Sequence, residues 1–164
     1  MKLTLAQLRD IWAGAGSLSL DAADYARIEA SAKTVADALR SGNALYGINT
    51  GFGKLASTRI SDDNLAALQR NLILSHAVGV GPALNERVTR LALAIKVVTL
   101  AQGRSGVRRV VVDGLLKLLT SGALPVIPSQ GSVGASGDLA PLAHLACPLL
   151  GEGEVRLGGE TLAA

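Results

Sequence analysis

The chain has few aromatic residues and a single cysteine among its 164 residues. One tryptophan, two tyrosines and one phenylalanine offer little stacking surface, and the net charge of +3 is small, so we expect no nucleic-acid partner. The lone Cys147 excludes an internal disulfide and suits a reducing compartment, which makes the cytoplasm the expected location. The N-terminus lacks the apolar core of a signal peptide, and Lys96 interrupts the apolar stretch 91–101, so we expect no membrane span.

The glycine-rich segment 51–56 does not fit a nucleotide-binding loop. It matches G-x-G-x-x-A, but no acidic residue follows about 20 positions later and no βαβ pattern surrounds it. Lys54 is followed by Leu55, whereas a Walker A lysine is followed by Ser or Thr. Nucleotide binding is therefore not expected.

The composition predicts a mainly α fold, because alanine and leucine supply most of the apolar residues and both favour helices. Apolar residues at steps of three and four, together with capping and stop residues, predict the helices. They are expected over residues 4–14, 21–41, 61–78, 85–103, 106–121 and 138–150.

Finer details of these elements follow from individual residues. Four apolar side chains of the fourth helix are expected to face inward: Val88, Leu91, Ile95 and Val98. Asp138 is expected to cap the last helix, and Pro148 to kink its final turn. Residues 154–162 are typical of a small β-hairpin that turns at Gly158 and Gly159.

The tripeptide Ala135-Ser136-Gly137 is capable of covalent chemistry on itself. The Gly137 nitrogen, unhindered by a side chain, can attack the Ala135 carbonyl carbon and close a five-membered ring. Loss of two waters, one of them from the Ser136 hydroxyl, leaves a methylidene-imidazolone, which is a strong electrophile. Glycine and serine together more often form an ordinary turn, so the tripeptide alone does not decide between these readings.

The residues on either side of the tripeptide favour the covalent chemistry over an ordinary turn. The segment from Gly131 to His144 resembles the signature of the aromatic amino acid lyases, a family of histidine, phenylalanine and tyrosine ammonia-lyases and related aminomutases. The resemblance implies that Ala135, Ser136 and Gly137 become the methylidene-imidazolone, with Asp138 assisting its formation. It implies no metal and no dissociable cofactor. His144 is expected to have a structural or supporting role.

Two further segments resemble the same family. In the first, 45–53, the resemblance implies that Tyr46 is a catalytic acid or base, carried on a glycine-rich loop that can close over substrate. In the second, 68–76, it implies that Ser75 and His76 contact the substrate side chain. A hydrogen-bonding pair suits an imidazole better than a benzene ring, because an apolar substrate would leave it unpaired.

The resemblance therefore implies elimination of ammonia from L-histidine to give urocanate, in histidine degradation. It covers residues 1–164 as one N-terminal domain that carries the prosthetic-group loop. The long C-terminal helical bundle of the family, which completes a homotetramer, is expected to be absent. The alternatives are a phenylalanine or tyrosine ammonia-lyase, an aminomutase, or an inactive truncated fragment that acts only as a helical association module.

Overall fold

The computed structural model describes residues 2–51, 57–134 and 137–164. Within these ranges lie six α-helices: α1 (Leu5–Ala13), α2 (Ala22–Arg40), α3 (Leu65–His76), α4 (Glu86–Ala101), α5 (Arg109–Ser121) and α6 (Leu139–Ala146). The same ranges contain five short strands: β1 (Val80–Ala83), β2 (Leu124–Pro125), β3 (Pro128–Gln130), β4 (Glu154–Leu157) and β5 (Glu160–Ala163). The mainly α fold class is confirmed.

The first two helices begin at the capping residues that the sequence indicates. The Thr4 hydroxyl accepts from the backbone N–H of Gln7 at 3.3 Å, and the Gln7 side chain accepts in return from the backbone N–H of Thr4 at 2.9 Å. Asp21 and Asp24 form the same reciprocal pair at the start of α2. Each box satisfies backbone donors that have no partner inside the helix.

Helix α4 lies at the centre of the core, in contact with α1, α2 and α5. Its buried apolar residues are Leu93, Ala94, Val97, Leu100 and Ala101. The predicted inward set was wrong in part, because Ile95 is 48% exposed and Val88 is also exposed. Apolar residues lie on nearly every face of α4, so the three neighbouring helices, rather than the periodicity, determine which face is buried.

The strands form two small antiparallel sheets. Strand β1 pairs with β3, and the second sheet has the order β2-β4-β5. The predicted hairpin is confirmed: Leu157 pairs with Glu160, and Gly158 and Gly159 have positive φ angles of 62° and 89° between them. This turn matches the twist of the flanking strands and is most readily formed by glycine. Strands β1, β2 and β3 were not predicted, because they show no readable alternation and, unlike β4 and β5, they are not joined to their partner strands by a short glycine turn.

Two helix boundaries differ from prediction. Helix α5 begins at Arg109 rather than near residue 106, because Gly106 has a φ of 67° and donates its N–H to the Ser31 hydroxyl at 2.9 Å. Helix α6 ends at Ala146 and continues as a 3-10 segment, Cys147–Leu150. The predicted kink at Pro148 is thus seen as a change from α-helix to 3-10 helix, because proline has no N–H for an α-helical hydrogen bond.

Within the described ranges, no helix has the length and apolar character needed to cross a bilayer. The same part of the chain contains no group of three or more histidine, cysteine or acidic side chains placed to hold a metal ion.

Candidate active site

A cleft of about 570 Å³ opens between the loop 45–51, helix α3 and helix α6. Helix α3 contributes four residues spaced by three, four and seven positions, which therefore share one face. The lining residues are Tyr46, Gly47, Gln69, Leu72, Ile73, His76, Leu139, Leu142, Ala143 and Ala146. A largely apolar wall with a few polar side chains is typical of a site for a small organic molecule.

The loop 45–51 holds Tyr46 at the edge of the cleft. The Tyr46 side chain is 65% exposed, whereas Asn49, three residues later, is fully buried. The Asn49 side chain fastens the loop: its Oδ1 accepts from the backbone N–H of Leu45 at 2.6 Å, and its Nδ2 donates to the carbonyl of Asn43 at 2.9 Å. A loop held by a buried amide can present a tyrosine in a defined position. Phe52 and Gly53, the last residues of this segment, lie outside the described residues.

The pair Ser75 and His76 lies at the C-terminal end of α3. Nδ1 of His76 is 2.6 Å from the Leu72 carbonyl oxygen, and the Ser75 hydroxyl donates to the same oxygen at 3.1 Å. A carbonyl oxygen only accepts, so we assign the proton of a neutral His76 ring to Nδ1. In that tautomer Nε2 is an acceptor, suited to a ligand that carries an N–H or O–H group.

Gly134 and Gly137 are the described residues next to positions 135 and 136. The backbone N–H of Gly137 donates to the Gly134 carbonyl at 3.1 Å, and both glycines have positive φ angles, 90° for Gly137 and 62° for Gly134. Such backbone angles are readily adopted by glycine, so these positions fit a segment that must bend back on itself. Ala135 and Ser136 lie outside the described residues.

Asp138 does not cap helix α6 with its side chain, which corrects the sequence prediction. It has a φ of 56°, the only positive value among the described residues other than glycine. Its carboxylate accepts a hydrogen bond from the Ser132 hydroxyl, and that hydroxyl accepts from the backbone N–H of Gly134 at 3.3 Å. The Asp138 carboxylate is thus held by Ser132, next to Gly134, rather than over the N-terminal end of α6. These described residues fit a backbone-derived group at 135–137.

His144 lies on α6 and bonds to the backbone of a distant segment, as expected of a structural residue. Its Nε2 accepts from the backbone N–H of Gly79 at 3.0 Å, next to strand β1. Burial lowers the pKa of His144 below its usual value, because desolvation disfavours the charged ring. The neutral ring is the form that can accept from Gly79 at Nε2.

The cleft brings together residues from all three segments that the sequence singled out: Tyr46 from 45–53, His76 from 68–76, and Leu139 and Leu142 from 131–144. The last two residues belong to α6, which forms one wall of the cleft. Ser75 is not among the lining residues and contacts the backbone of α3 instead. Sequence reasoning missed Asn49, Gln69 and Ser132 as supporting residues, although all three lie within the segments that it quoted.

The whole described fold has counterparts among known proteins. The sequence pattern of the aromatic amino acid lyases matches residues 3–164. The histidine ammonia-lyase of Paracidovorax citrulli is 58% identical over 158 residues, which cover 96% of this chain and 31% of that protein. The crystal structure of histidine ammonia-lyase from Trypanosoma cruzi has a TM-score of 0.86 at 35% identity, over 96% of this chain and 31% of that one. Tyrosine aminomutase from Streptomyces globisporus has a TM-score of 0.90 at 33% identity, over 98% and 30%.

The chain therefore belongs to the aromatic amino acid lyase family. It spans about a third of the length of these relatives.

Proposed function

We propose that this chain is the N-terminal domain, residues 1–164, of an enzyme that eliminates ammonia from L-histidine to give urocanate. The observation that carries the proposal is the cleft itself. Tyr46, His76 and the first turn of α6, which follows the tripeptide directly, line the same space. The similarity to histidine ammonia-lyases supports the same reaction.

Each residue has a proposed role. The methylidene-imidazolone built from Ala135, Ser136 and Gly137 supplies an electrophilic carbon for the substrate amine. Tyr46 accepts the proton that leaves the substrate carbon, for which its phenol must be ionised. Nε2 of His76 accepts from the imidazole N–H of the substrate. The Ser75 hydroxyl, on the same turn of α3, lies next to Nδ1 of His76 and supports the His76 ring. Asp138, held by Ser132, assists ring formation.

A different aromatic substrate, or the aminomutase reaction, is the second candidate. The similarity to tyrosine aminomutase favours it, because the fold is shared throughout the chain. The polar pair Ser75-His76 favours histidine over phenylalanine, because an apolar ring offers no N–H group to these side chains. The third possibility, an inactive fragment that only associates with other chains, predicts an unmodified tripeptide.

We also propose that further polypeptide, with other copies in a homotetramer, packs on this domain to complete the site. Helix α3 has no fully buried residue, although it contains five leucine and isoleucine residues. Val78 and Val80, which follow α3, and Val133, which follows the paired strand β3, are more than 60% exposed. Apolar surface of this kind is usual at protein interfaces.

The first test is the intact mass of the purified chain. A deficit of two waters in the peptide that contains Ala135-Ser136-Gly137 supports the proposal, and the Ser136→Ala variant should have its full calculated mass. Activity is then measured on the whole enzyme that contains this domain, as urocanate formed from L-histidine, beside parallel assays with phenylalanine and tyrosine. Tyr46→Phe should keep the mass deficit but lose activity about 10²–10⁴-fold, because only the proton transfer is removed. A cyclised chain that prefers phenylalanine would contradict the substrate assignment.

A further inference from the structure

Gln69 connects the two segments that carry the polar groups of the cleft. Its side-chain nitrogen lies 3.0 Å from the carbonyl oxygen of Ile48 and 3.4 Å from that of Gly47. A primary amide nitrogen carries two N–H groups, so one side chain can serve both carbonyls. These two carbonyls belong to the two residues that directly follow Tyr46 on the loop 45–51.

The other described hydrogen bonds of this loop mostly stay within it. The backbone N–H groups of Ile48 and Asn49 both donate to the Leu45 carbonyl, at 3.0 and 3.1 Å. The Gly47 N–H donates to the Thr50 hydroxyl at 3.2 Å. The backbone N–H of Ile60 also donates to the Asn49 carbonyl, at 2.8 Å, and ties the loop to the segment that leads into α3. None of these bonds reaches α3 itself. The Gln69 bonds do so, because they join positions 21 and 22 residues apart.

Gln69 also lies in register with the substrate-contacting end of the helix. It shares the cleft-facing side of α3 with Leu72, Ile73 and His76. Seven residues separate Gln69 from His76, which is about 10 Å along a helix axis. A rigid helix that contacts the Tyr46 loop through Gln69, near its middle, and carries His76 at its C-terminal end fixes the distance between them.

We propose that Gln69 is a positioning residue for catalysis: by donating to the Gly47 and Ile48 carbonyls it holds Tyr46 at a set place relative to His76. This inference rests on the proposed function, which gives Tyr46 and His76 their roles. It assigns Gln69 no contact with substrate. Gln69 acts instead on the alignment of Tyr46, the proton-transfer group. Reaction rates are sensitive to such alignment, because a misplacement of about 1 Å can lower a rate about 10²-fold.

Two variants remove the donor while keeping the length of the side chain. Gln69→Glu offers only acceptors at neutral pH, and Gln69→Met offers no N–H at all. Agreement between them assigns the effect to the lost donor rather than to the added negative charge. Gln7→Glu is the matched control, because it makes the same chemical change in the α1 capping box, where glutamate also serves.

The first readout is amide hydrogen exchange, which does not depend on activity. Exchange within 45–51 should be about tenfold faster in both Gln69 variants, as expected when a hydrogen bond of about 1.4 kcal/mol is lost. Exchange in α4 should stay unchanged. The second readout is kinetic: kcat for L-histidine should fall about tenfold to a hundredfold, with KM within about threefold, because His76 still binds the substrate ring.

The outcomes separate the two proposals. Unchanged loop exchange in both variants overturns the inference, and so does faster exchange with an unchanged kcat, which would leave Gln69 as a loop anchor without a catalytic consequence. A whole wild-type enzyme, containing this domain, that lacks both the two-water deficit and lyase activity overturns the proposed function, and the positioning role falls with it. A general loss of protection in α4 would also contradict the inference, since the effect would then be on the fold.

Discussion

The imidazole of His144 accepts a hydrogen bond from the backbone N–H of Gly79 at 3.0 Å and thereby joins helix α6 to the segment before strand β1. The two residues approach so closely that a Cβ added at Gly79 would lie 3.1 Å from Nε2 of His144. This contact supports one wall of the cleft from behind, because α6 contributes Leu139, Leu142 and Ala143 to the lining.

We predict that this contact makes stability depend on pH. Burial lowers the pKa of His144 in the folded chain, so between that pKa and about 6.5 the unfolded chain binds a proton that the folded chain does not. The free energy of unfolding should therefore fall as the pH drops below about 6.5 and should be fully retained above it. Denaturant unfolding at a series of pH values measures the dependence.

His144→Gln is the control for that measurement, because its Oε1 can accept from Gly79 at every pH. The variant should show a shallower loss of stability between pH 7 and pH 5 than the wild type. Equal slopes would show that the pH dependence does not come from His144.

A second prediction concerns the hydrogen bond from Ser132 to Asp138. Asp138 has a left-handed backbone, which is unfavourable for a residue with a side chain by roughly 1–2 kcal/mol. We expect Ser132→Ala to release the carboxylate and to lower the fraction of chains with the two-water deficit, measured by intact mass. The matched control is Ser19→Ala, which removes an exposed hydroxyl far along the chain. An unchanged deficit in Ser132→Ala would show that the carboxylate needs no such support.

A third prediction separates backbone strain from close packing at two helix ends. Gly103 and Gly122 both have left-handed φ angles, 68° and 76°. A Cβ at Gly103 would lie 2.5 Å from the carbonyl oxygen of Arg27, whereas a Cβ at Gly122 would have no atom within 4 Å. Gly122→Ala should destabilise the chain by about 1 kcal/mol through φ alone.

Gly103→Ala adds a clash with the backbone of α2 to the same strain. It should cost about 1–3 kcal/mol more than Gly122→Ala, because backbone atoms cannot move aside as a flexible side chain can. Urea unfolding of both variants measures the difference. Equal destabilisation would mean that α2 and the end of α4 lie further apart in solution.

The residues that determine a local structure were readable from the sequence, and those that depend on partners distant in the chain were not. The capping boxes at Thr4 and Asp21, and the turn at Gly158 and Gly159, each depend on neighbours within three residues. The buried face of α4 depends on three other helices, and the strand pairing of β1 with β3 joins segments about fifty residues apart. Local chemistry alone could not indicate either one.

The same distinction applies to the candidate site. Tyr46 and His76 stood out because their segments resemble those of a known family, and the fold places both on one cleft. Gln69 bonds to a loop about twenty residues earlier in the chain, and Ser132 bonds to Asp138 six residues later, so their residue types carried no signal until these partners were located. Asp138 was predicted as a helix cap from its position alone, and the Ser132 contact redirects it.

The last prediction tests the choice of substrate. His76→Phe replaces the ring that offers Nε2 by an apolar ring of similar size, so the imidazole of a bound histidine would lose its acceptor. We expect kcat/KM for L-histidine to fall about tenfold to a hundredfold, the effect of a hydrogen bond of about 1.5–3 kcal/mol, while the value for L-phenylalanine rises or stays constant. The ratio of the two values is the quantity to measure, because a general defect lowers both together. A ratio that stays at the wild-type value would show that His76 does not face the substrate ring, and it would leave the aromatic alternatives open.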